Sequence, residues 1–341
     1  MEKLTFALGP STDQISITKR SIKALHTVLR LTDTSDVNPD LQDVVLIAVD
    51  TENTNKIIKN NSLENINSQI GFAVFDTRDL LTLKNINIPT YNFATGTSQY
   101  HARVSYQYIF GNSVKLCKKI LIRAIIPKSR RIIFVGHDVK QDLRALFSLD
   151  PEFWKSISDN IVGVFDTQRI AHDIQQNSLL ADGIYEEAGY SLYGLLKHFD
   201  CPFRNLHCAG NDAHFTLRLL LVLAIHSVQD MGQLIEHVAA VIELQRIAYA
   251  ALPAPKPIPS DIDITGIQKL RRAERNYQSR HRNSKVVKTV RAERAKKRAE
   301  AFRSLIAESD DLLSRIVEFR GFYMCDKPHR DDTKDEEDKG S

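Results

Sequence analysis

The chain has 341 residues, of which 43% are apolar and 26% are charged, values typical of a globular protein with one large domain or two smaller ones. No apolar run approaches the roughly 20 residues that span a bilayer, and Met1–Pro10 lacks the features of a secretory signal. The four cysteines show no Cys-x-x-Cys pairing, so we expect reduced thiols in a cytoplasmic or nuclear protein that does not insert into membranes.

The first 42 residues are mixed and polar, and we assign them to an N-terminal leader in which Ile22–Leu31 has helical character. The run Val44–Val49 that follows is continuously apolar and rich in β-branched residues, which predicts a strand buried on both faces. Asp50 and Glu52 stand at its end. Because residues two apart on a strand point to the same face, both carboxylates can reach one metal cluster. Taken alone, the pair could equally be two solvated loop acids.

Two more strands and a helix are predicted before residue 127. A polar, Asn-rich loop, Asn53–Ser68, leads into the second strand, Ile70–Phe75, and a weaker run that ends near Phe93 is the third. Ser113–Ile126 has the apolar spacing of a helix, which Pro127 would end.

The second acidic motif follows the next buried strand, Ile132–Val135. Asp142 lies on a predicted helix, where in isolation it could be a surface charge. Asp138 stands where the first free N–H groups of this helix need an acceptor, so we interpret it as the N-cap. Asp166 follows the strand Ile161–Phe165, and we interpret it in the same way and leave it out of the site.

The last two candidates are His207 and Asp212, which lie five residues apart at the start of a helix predicted for Asn211–Ile225. A loop that holds the histidine and a helix that begins beside the aspartate would aim both into one pocket. A lone histidine is more often structural, and Asp212 could merely favour the positive end of the helix dipole. Cys201 and Cys208 flank His207, but this spacing fits no common zinc pattern.

The C-terminal part of the chain differs from the rest in composition. After a helix predicted for Met231–Ala251, a stiff proline-rich linker covers residues 252–262. Residues 265–303 hold fourteen Lys or Arg and three Glu; since the whole chain carries +4, the remainder carries −7. We assign residues 263–322 to a basic helical extension that binds either nucleic acid or a protein partner, and residues 323–341 to a disordered acidic tail.

The order of the predicted elements indicates an α/β fold in which helices cover a mixed β-sheet, and we place this domain in residues 43–251. Its strand ends and helix starts would bring together five side chains: Asp50, Glu52, Asp142, His207 and Asp212. The four carboxylates suit Mg²⁺ or Mn²⁺, which prefer oxygen ligands, and the imidazole can take a proton from water near neutral pH. The sequence therefore predicts a hydrolytic site for a phosphodiester with two metal ions.

The three motifs, in this order, resemble those of the DEDDh exonuclease family, whose members have an RNase H-like fold. The family's Asp-x-Glu matches residues 50–52, and its His-x-x-x-x-Asp matches residues 207–212. Its Gly-His-Asn-x-x-x-Asp matches residues 136–142, with Asp138 where the family usually has Asn. The resemblance covers about residues 44–225. Val-Asp-Thr-Glu-Asn together with Ala-Gly-Asn-Asp-Ala is further similar to the fungal branch of Argonaute-associated exonucleases.

The resemblance implies 3′→5′ hydrolysis of single-stranded RNA or DNA with release of nucleoside monophosphates. It also implies a role for each motif residue: Asp50, Glu52, Asp142 and Asp212 would hold two Mg²⁺ or Mn²⁺ ions, and His207 would act as general base. Two alternatives stay open. One is a non-catalytic RNase H-like scaffold in a ribonucleoprotein or silencing complex, and the other is a two-metal endonuclease of the same fold. No motif distinguishes RNA from DNA as the substrate.

Overall fold

The computed structural model describes residues 2–7, 14–32, 39–41, 43–53, 57, 67–82, 87–115, 120–177, 190–230 and 238–255. The chain divides into two units, Met1–Ile262 and Asp263–Ser341, and all described residues belong to the first. The predicted basic extension and acidic tail therefore lie outside the described residues, as does most of the proline-rich linker. The domain boundaries stay predictions.

A six-stranded mixed sheet forms the centre of the first unit. Its strands are β3 (Val45–Glu52), β4 (Ser68–Asp76), β5 (Thr90–Thr95), β6 (Val114–Lys115), β7 (Ile132–Gly136) and β8 (Ile161–Asp166). Their order across the sheet is β6-β5-β4-β3-β7-β8. β4 runs antiparallel to both β3 and β5, whereas β3, β7 and β8 are parallel to one another. The predicted α/β fold with a mixed sheet is confirmed.

Helices cover both faces of this sheet. They are α1 (Ile22–Val28), α2 (Asp79–Thr82), α3 (Ser98–Gln107), α4 (Ile120–Ile125), α5 (Lys140–Leu149), α6 (Pro151–Ser156), α7 (Thr167–Asn177), α8 (Leu192–His198), α9 (Ala209–Asp230) and α10 (Val238–Ala248), with short 3₁₀ turns at Pro39–Leu41 and Ser158–Asn160. The apolar side chains of α1 and of α7 to α10 pack on one face, and those of α4, α5 and α6 pack on the other. None of the described helices combines the length and hydropathy needed to cross a bilayer.

Strand β3 separates the two apolar cores. Leu46 and Ala48 point into the core that contains α9, whereas Val45, Ile47 and Val49 point into the core that contains α5. Successive side chains of a strand alternate between faces, so a strand covered on both sides needs apolar residues at every position. This explains the continuous apolar run in the sequence. It also fixes which way the residues at the end of β3 point.

Two strands near the N-terminus contribute to the second of these cores. β1 (Lys3–Ala7) and β2 (Gln14–Thr18) form an antiparallel pair in which exposed and buried residues alternate. The Phe6 ring meets the Phe147 ring of α5 edge-on, with centroids 5.2 Å apart. Beyond β2, Lys19 forms a parallel bridge with Val164 of β8. Strands β1 and β2, which belong to the segment that we assigned to a leader, thus pack on the sheet.

One predicted element was wrong in part. Of the described residues in the helix expected for Ser113–Ile126, Ile120–Ile125 are helical, whereas Val114–Lys115 pairs with β5 as the short strand β6. Apolar spacing over so few residues does not distinguish the two structures, and both residues of β6 are exposed. The long helix expected from Met231 is described from Val238 onward, and residues 231–237 lie outside the described residues.

Candidate active site

The carboxyl end of β3 carries the first two candidate residues. Asp50 and Glu52 lie on the face of the sheet that α9 covers, because they continue the alternation of Leu46 and Ala48. Asp50 Oδ2 is buried and has no hydrogen-bond partner among the described residues. Burial raises the pKa of the Asp50 carboxyl well above its ordinary value. The carboxylates of Asp212, Asp142 and Glu52 raise it further, so all four acids lie around one pocket.

Asp142 reaches this pocket from the first turn of α5. Its Oδ1 accepts two hydrogen bonds from Thr51, one from the main-chain N–H at 3.0 Å and one from Oγ1 at 2.5 Å. Burial raises the pKa of Asp142 to about 6, although the two Thr51 hydrogen bonds act to lower it. Thr51 faces α5, as the alternation along β3 requires. Thr51, which lies between Asp50 and Glu52 in the first motif, therefore orients Asp142 of the second motif.

Asp138 and Asp166 lie next to each other but have different roles. Asp166 Oδ1 accepts from the N–H of Gln168 in the first turn of α7, which confirms the predicted cap. The cap predicted for Asp138 was wrong. Val139 is the N-cap residue of α5, with no side-chain cap, and Asp138 has a φ of 57° and donates its own N–H to Asp166 Oδ1 at 3.1 Å. The helix begins one residue too late for Asp138 to cap it.

His207 and Asp212 are connected through the main chain. Asp212 Oδ2 accepts a hydrogen bond of 2.9 Å from the N–H of His207, and the buried Asp212 Oδ1 has no partner in the part of the chain that the structure describes. Burial raises the pKa of the Asp212 carboxyl, and the nearby Glu52 carboxylate raises it further. The His207 side chain is 65% exposed, and its Nδ1 lies 4.0 Å from Glu52 Oε1.

These side chains fit a divalent cation. Glu52, His207 and Asp212 each offer one ligand atom, and the three atoms lie within 4.8 Å of one another. Two carboxylate oxygens of the pocket are buried and have no partner among the described residues, and burial together with repulsion from neighbouring acids raises the pKa values of the acids that carry them. A divalent cation would satisfy these oxygens and remove the repulsion. Burial raises the pKa of the Cys208 thiol, so this neighbour is not a ready thiolate ligand for zinc.

A comparison with protein families gives a match for part of the chain. Residues 87–223 match the family described as DEDDh_C, the DNA polymerase III subunit epsilon-like, C-terminal domain. This segment is similar to the DEDDh exonucleases, and we call the unit that contains it the DEDDh domain. A comparison with curated proteins found no match. The matched segment contains Asp142, His207 and Asp212, whereas Asp50 and Glu52 precede it on β3. This similarity supports a nuclease activity in general, and the DEDDh exonucleases use divalent metal ions.

The residues that position the start of α9 were not predicted from the sequence. Gln69 Oε1 accepts from Ala209 N at 3.2 Å, and Asn92 Oδ1 accepts from Gly210 N at 2.8 Å. α9 approaches β4 so closely that a Cβ atom on Gly71 would lie 2.0 Å from Ala209 O. A glycine inside a buried strand is a signal for such an approach. These contacts position the first turn of α9 and therefore Asp212.

Two other histidines near the motifs are structural. His137 Nδ1 lies 2.9 Å from Thr167 Oγ1, and His137 Nε2 lies 2.7 Å from Tyr190 O. His214 stacks on Phe110 with ring centroids 3.8 Å apart. Burial lowers the pKa of both histidines, that of His214 to about 2. Both rings are therefore held neutral inside the DEDDh domain, away from the exposed position of His207.

Proposed function

We propose that the DEDDh domain is a metal-dependent exonuclease that removes nucleotides from the 3′ end of single-stranded nucleic acid. The observation that carries this proposal is the pocket itself: acids from three separate chain segments converge there, and two of their buried oxygens have no described partner. Buried unpartnered carboxylates cost stability. A protein that only binds nucleic acid has no need of them, whereas a metal-dependent nuclease does.

The metal ligands in this proposal are the four acids, Asp50, Glu52, Asp142 and Asp212, which would hold two ions of Mg²⁺ or Mn²⁺. Ions bound there would stabilise the charge that develops on the phosphate and make the attacking water more acidic. Asp50 has the other three carboxylates as neighbours, so it would contribute to holding both ions. Thr51 keeps Asp142 oriented by its two hydrogen bonds, as partners of metal ligands commonly do.

His207 is the general base in this proposal. Its main chain is anchored to Asp212, while its exposed imidazole lies beside Glu52. An imidazole at this position can take the proton of a water held next to the carboxylates and release it to solvent. The left-handed backbone of His207, with a φ of 69°, sets the direction of the side chain at the rim of the pocket.

The test is digestion of 5′-labelled single-stranded RNA and DNA with Mg²⁺ or Mn²⁺. We expect the wild-type protein to give a ladder that shortens by one nucleotide at a time, and Asp50→Asn and Asp212→Asn to give none while remaining folded. Mg²⁺-dependent cleavage retained in both variants would refute the site. Cleavage of a circular single strand would show an endonuclease instead. Binding of the oligonucleotides with no cleavage under either ion would favour the scaffold.

A further inference from the structure

Helix α3 is held at the rim of the pocket, next to Glu52. Asn53, the residue after Glu52, donates from Nδ2 to Asn67 O at 2.7 Å. Asn67 Oδ1 in turn accepts from the N–H of Thr97 at 3.0 Å, and Thr97 is the N-cap residue of α3. The end of the catalytic strand and the start of α3 are therefore joined by two consecutive hydrogen bonds.

Tyr100 extends this connection from the first turn of α3 into the pocket. Its hydroxyl accepts from Gln69 Nε2 at 3.1 Å, and Gln69 lies opposite Glu52 in the pairing of β3 with β4. Burial raises the pKa of Tyr100. The Glu52 carboxylate also raises it, and the Arg103 guanidinium lowers it, so the phenol lies within electrostatic reach of both groups. Tyr100 thus places a cation close to the acidic pocket.

That cation, Arg103, has no anionic partner in the described parts of the chain. Its guanidinium carbon lies 5.1 Å from the centre of the Tyr100 ring, a cation–π contact, and its buried Nε makes no hydrogen bond to any described residue. By contrast, Arg78 and Arg130 both pair with Asp76. A buried donor without a hydrogen bond costs free energy, and a bound ligand would satisfy the Nε of Arg103.

We propose that Arg103 binds a backbone phosphate of the nucleic-acid strand next to the phosphate that is hydrolysed, and that the Tyr100 ring holds its guanidinium in place. This inference rests on the proposed function. A guanidinium matches a phosphate through parallel N–H···O bonds, and it offsets the repulsion between a polyanion and four carboxylates. The strand carries one phosphate per nucleotide, so a cation at the rim of the pocket meets the phosphate that follows the scissile one. Arg103 is a binding residue and takes no part in proton transfer.

The first experiment measures affinity for a fluorescent single-stranded oligonucleotide by anisotropy at several salt concentrations. It uses the cleavage-deficient Asp212→Asn protein with Mg²⁺ as the background. Adding Arg103→Gln is expected to weaken binding about tenfold and to reduce the slope of log Kd against log salt by about 0.7, the value for one phosphate contact on a single strand. Arg103→Lys keeps the charge, so we expect it to retain the slope.

Arg78→Gln is the matched control, because it removes the same charge at the opposite end of β4 and should change neither the affinity nor the slope. Tyr100→Leu removes the ring that holds the guanidinium and should weaken binding part of the way. In steady-state cleavage by the otherwise wild-type protein, Arg103→Gln should raise KM about tenfold and leave kcat within about twofold.

Three results would overturn the phosphate contact: an unchanged slope in a folded Arg103→Gln protein, an equal change in Arg78→Gln, or a loss of kcat with unchanged KM. If Arg103→Gln does not fold, Arg103→Lys takes its place. Because that variant keeps the charge, a reduced slope of log Kd against log salt in Arg103→Lys would also overturn the phosphate contact. The two proposals fail separately. If the wild-type protein cuts nothing but Arg103→Gln reduces the slope, the exonuclease is refuted and the phosphate contact stands. If the wild-type protein cuts but Arg103→Gln leaves the slope unchanged, the phosphate contact is refuted and the exonuclease stands.

Discussion

Replacing Thr51 by valine tests whether the residue between the first two acids controls metal affinity. Valine keeps the branched shape of threonine, and the main-chain N–H at this position can still donate to Asp142 Oδ1. The 2.5 Å bond from Thr51 Oγ1 to Asp142 Oδ1 is lost. A hydrogen bond to a charged group contributes about 1.5–3 kcal/mol, and losing such a partner of a metal ligand lowers metal affinity about 10- to 100-fold. We expect the Mg²⁺ concentration for half-maximal cleavage to rise by that factor.

The measurement is the initial rate of oligonucleotide cleavage against Mg²⁺ concentration at constant ionic strength. Thr51→Ser is the control, since serine keeps the hydroxyl, and it should stay within about threefold of the wild type. A second readout is the rise in melting temperature on adding Mg²⁺, which should be smaller for the valine variant than for the serine variant. A half-maximal concentration for valine within twofold of the wild type, or an equal loss for serine, would contradict this account of the Asp142 carboxylate.

Three further predictions concern stability. In the metal-free protein, Asp50→Asn should raise the melting temperature near neutral pH. The pKa of Asp50 is raised in the fold, so ionisation of this carboxyl destabilises the fold as pH rises above the ordinary pKa of aspartate. A lower melting temperature would contradict this. Gly71→Ala should lower the free energy of unfolding in urea by several kcal/mol and reduce cleavage, because its Cβ would lie 2.0 Å from Ala209 O. In Gly111→Ala the nearest atom to the new Cβ lies at 3.5 Å, so this variant should be neutral. Equal effects of the two substitutions would refute the close approach. Burial lowers the pKa of His214 to about 2 from 6.5, so its neutral ring stabilises the fold above pH 6.5 and this stability is lost as pH falls from there. At pH 4.5 the loss should reach about 3 kcal/mol, and acid titrations of stability should show a smaller loss in His214→Asn; parallel titrations would refute it.

The strands and the motif acids could be predicted because their signals are local. The apolar run before Asp50 has the composition of a strand covered on both faces, and β3 is such a strand. The short alternating pair β1 and β2 was missed, although Leu4, Phe6, Ile15 and Ile17 show the period-two pattern of half-buried strands. Too few residues carry that pattern for it to stand out beside a polar neighbourhood.

The contacts that orient the acids could not be predicted, because they join residues far apart in the chain. Thr51 and Asp142 are separated by 91 positions, and Gln69 and Ala209 by 140. Their roles depend on the register of β3 with β4 and on the closeness of α9 to the sheet, which no local pattern reports. The N-cap predicted for Asp138 was wrong because Asp138 has a positive φ and the helix begins after the next residue. The aspartate in the sequence does not predict this backbone conformation.

The segment after β2 has a consequence for aggregation. β8 ends the row of strands on one side, so its outer main-chain groups would be open to another molecule. Arg20 occupies two of them, since its N–H donates to Val164 O at 2.9 Å and its Nε donates to Val162 O at 2.9 Å. Lys19 bridges the same strand. Removing the first 42 residues to isolate the nuclease would unblock this strand and favour intermolecular β-pairing, so fragments meant for crystallisation or expression should keep them.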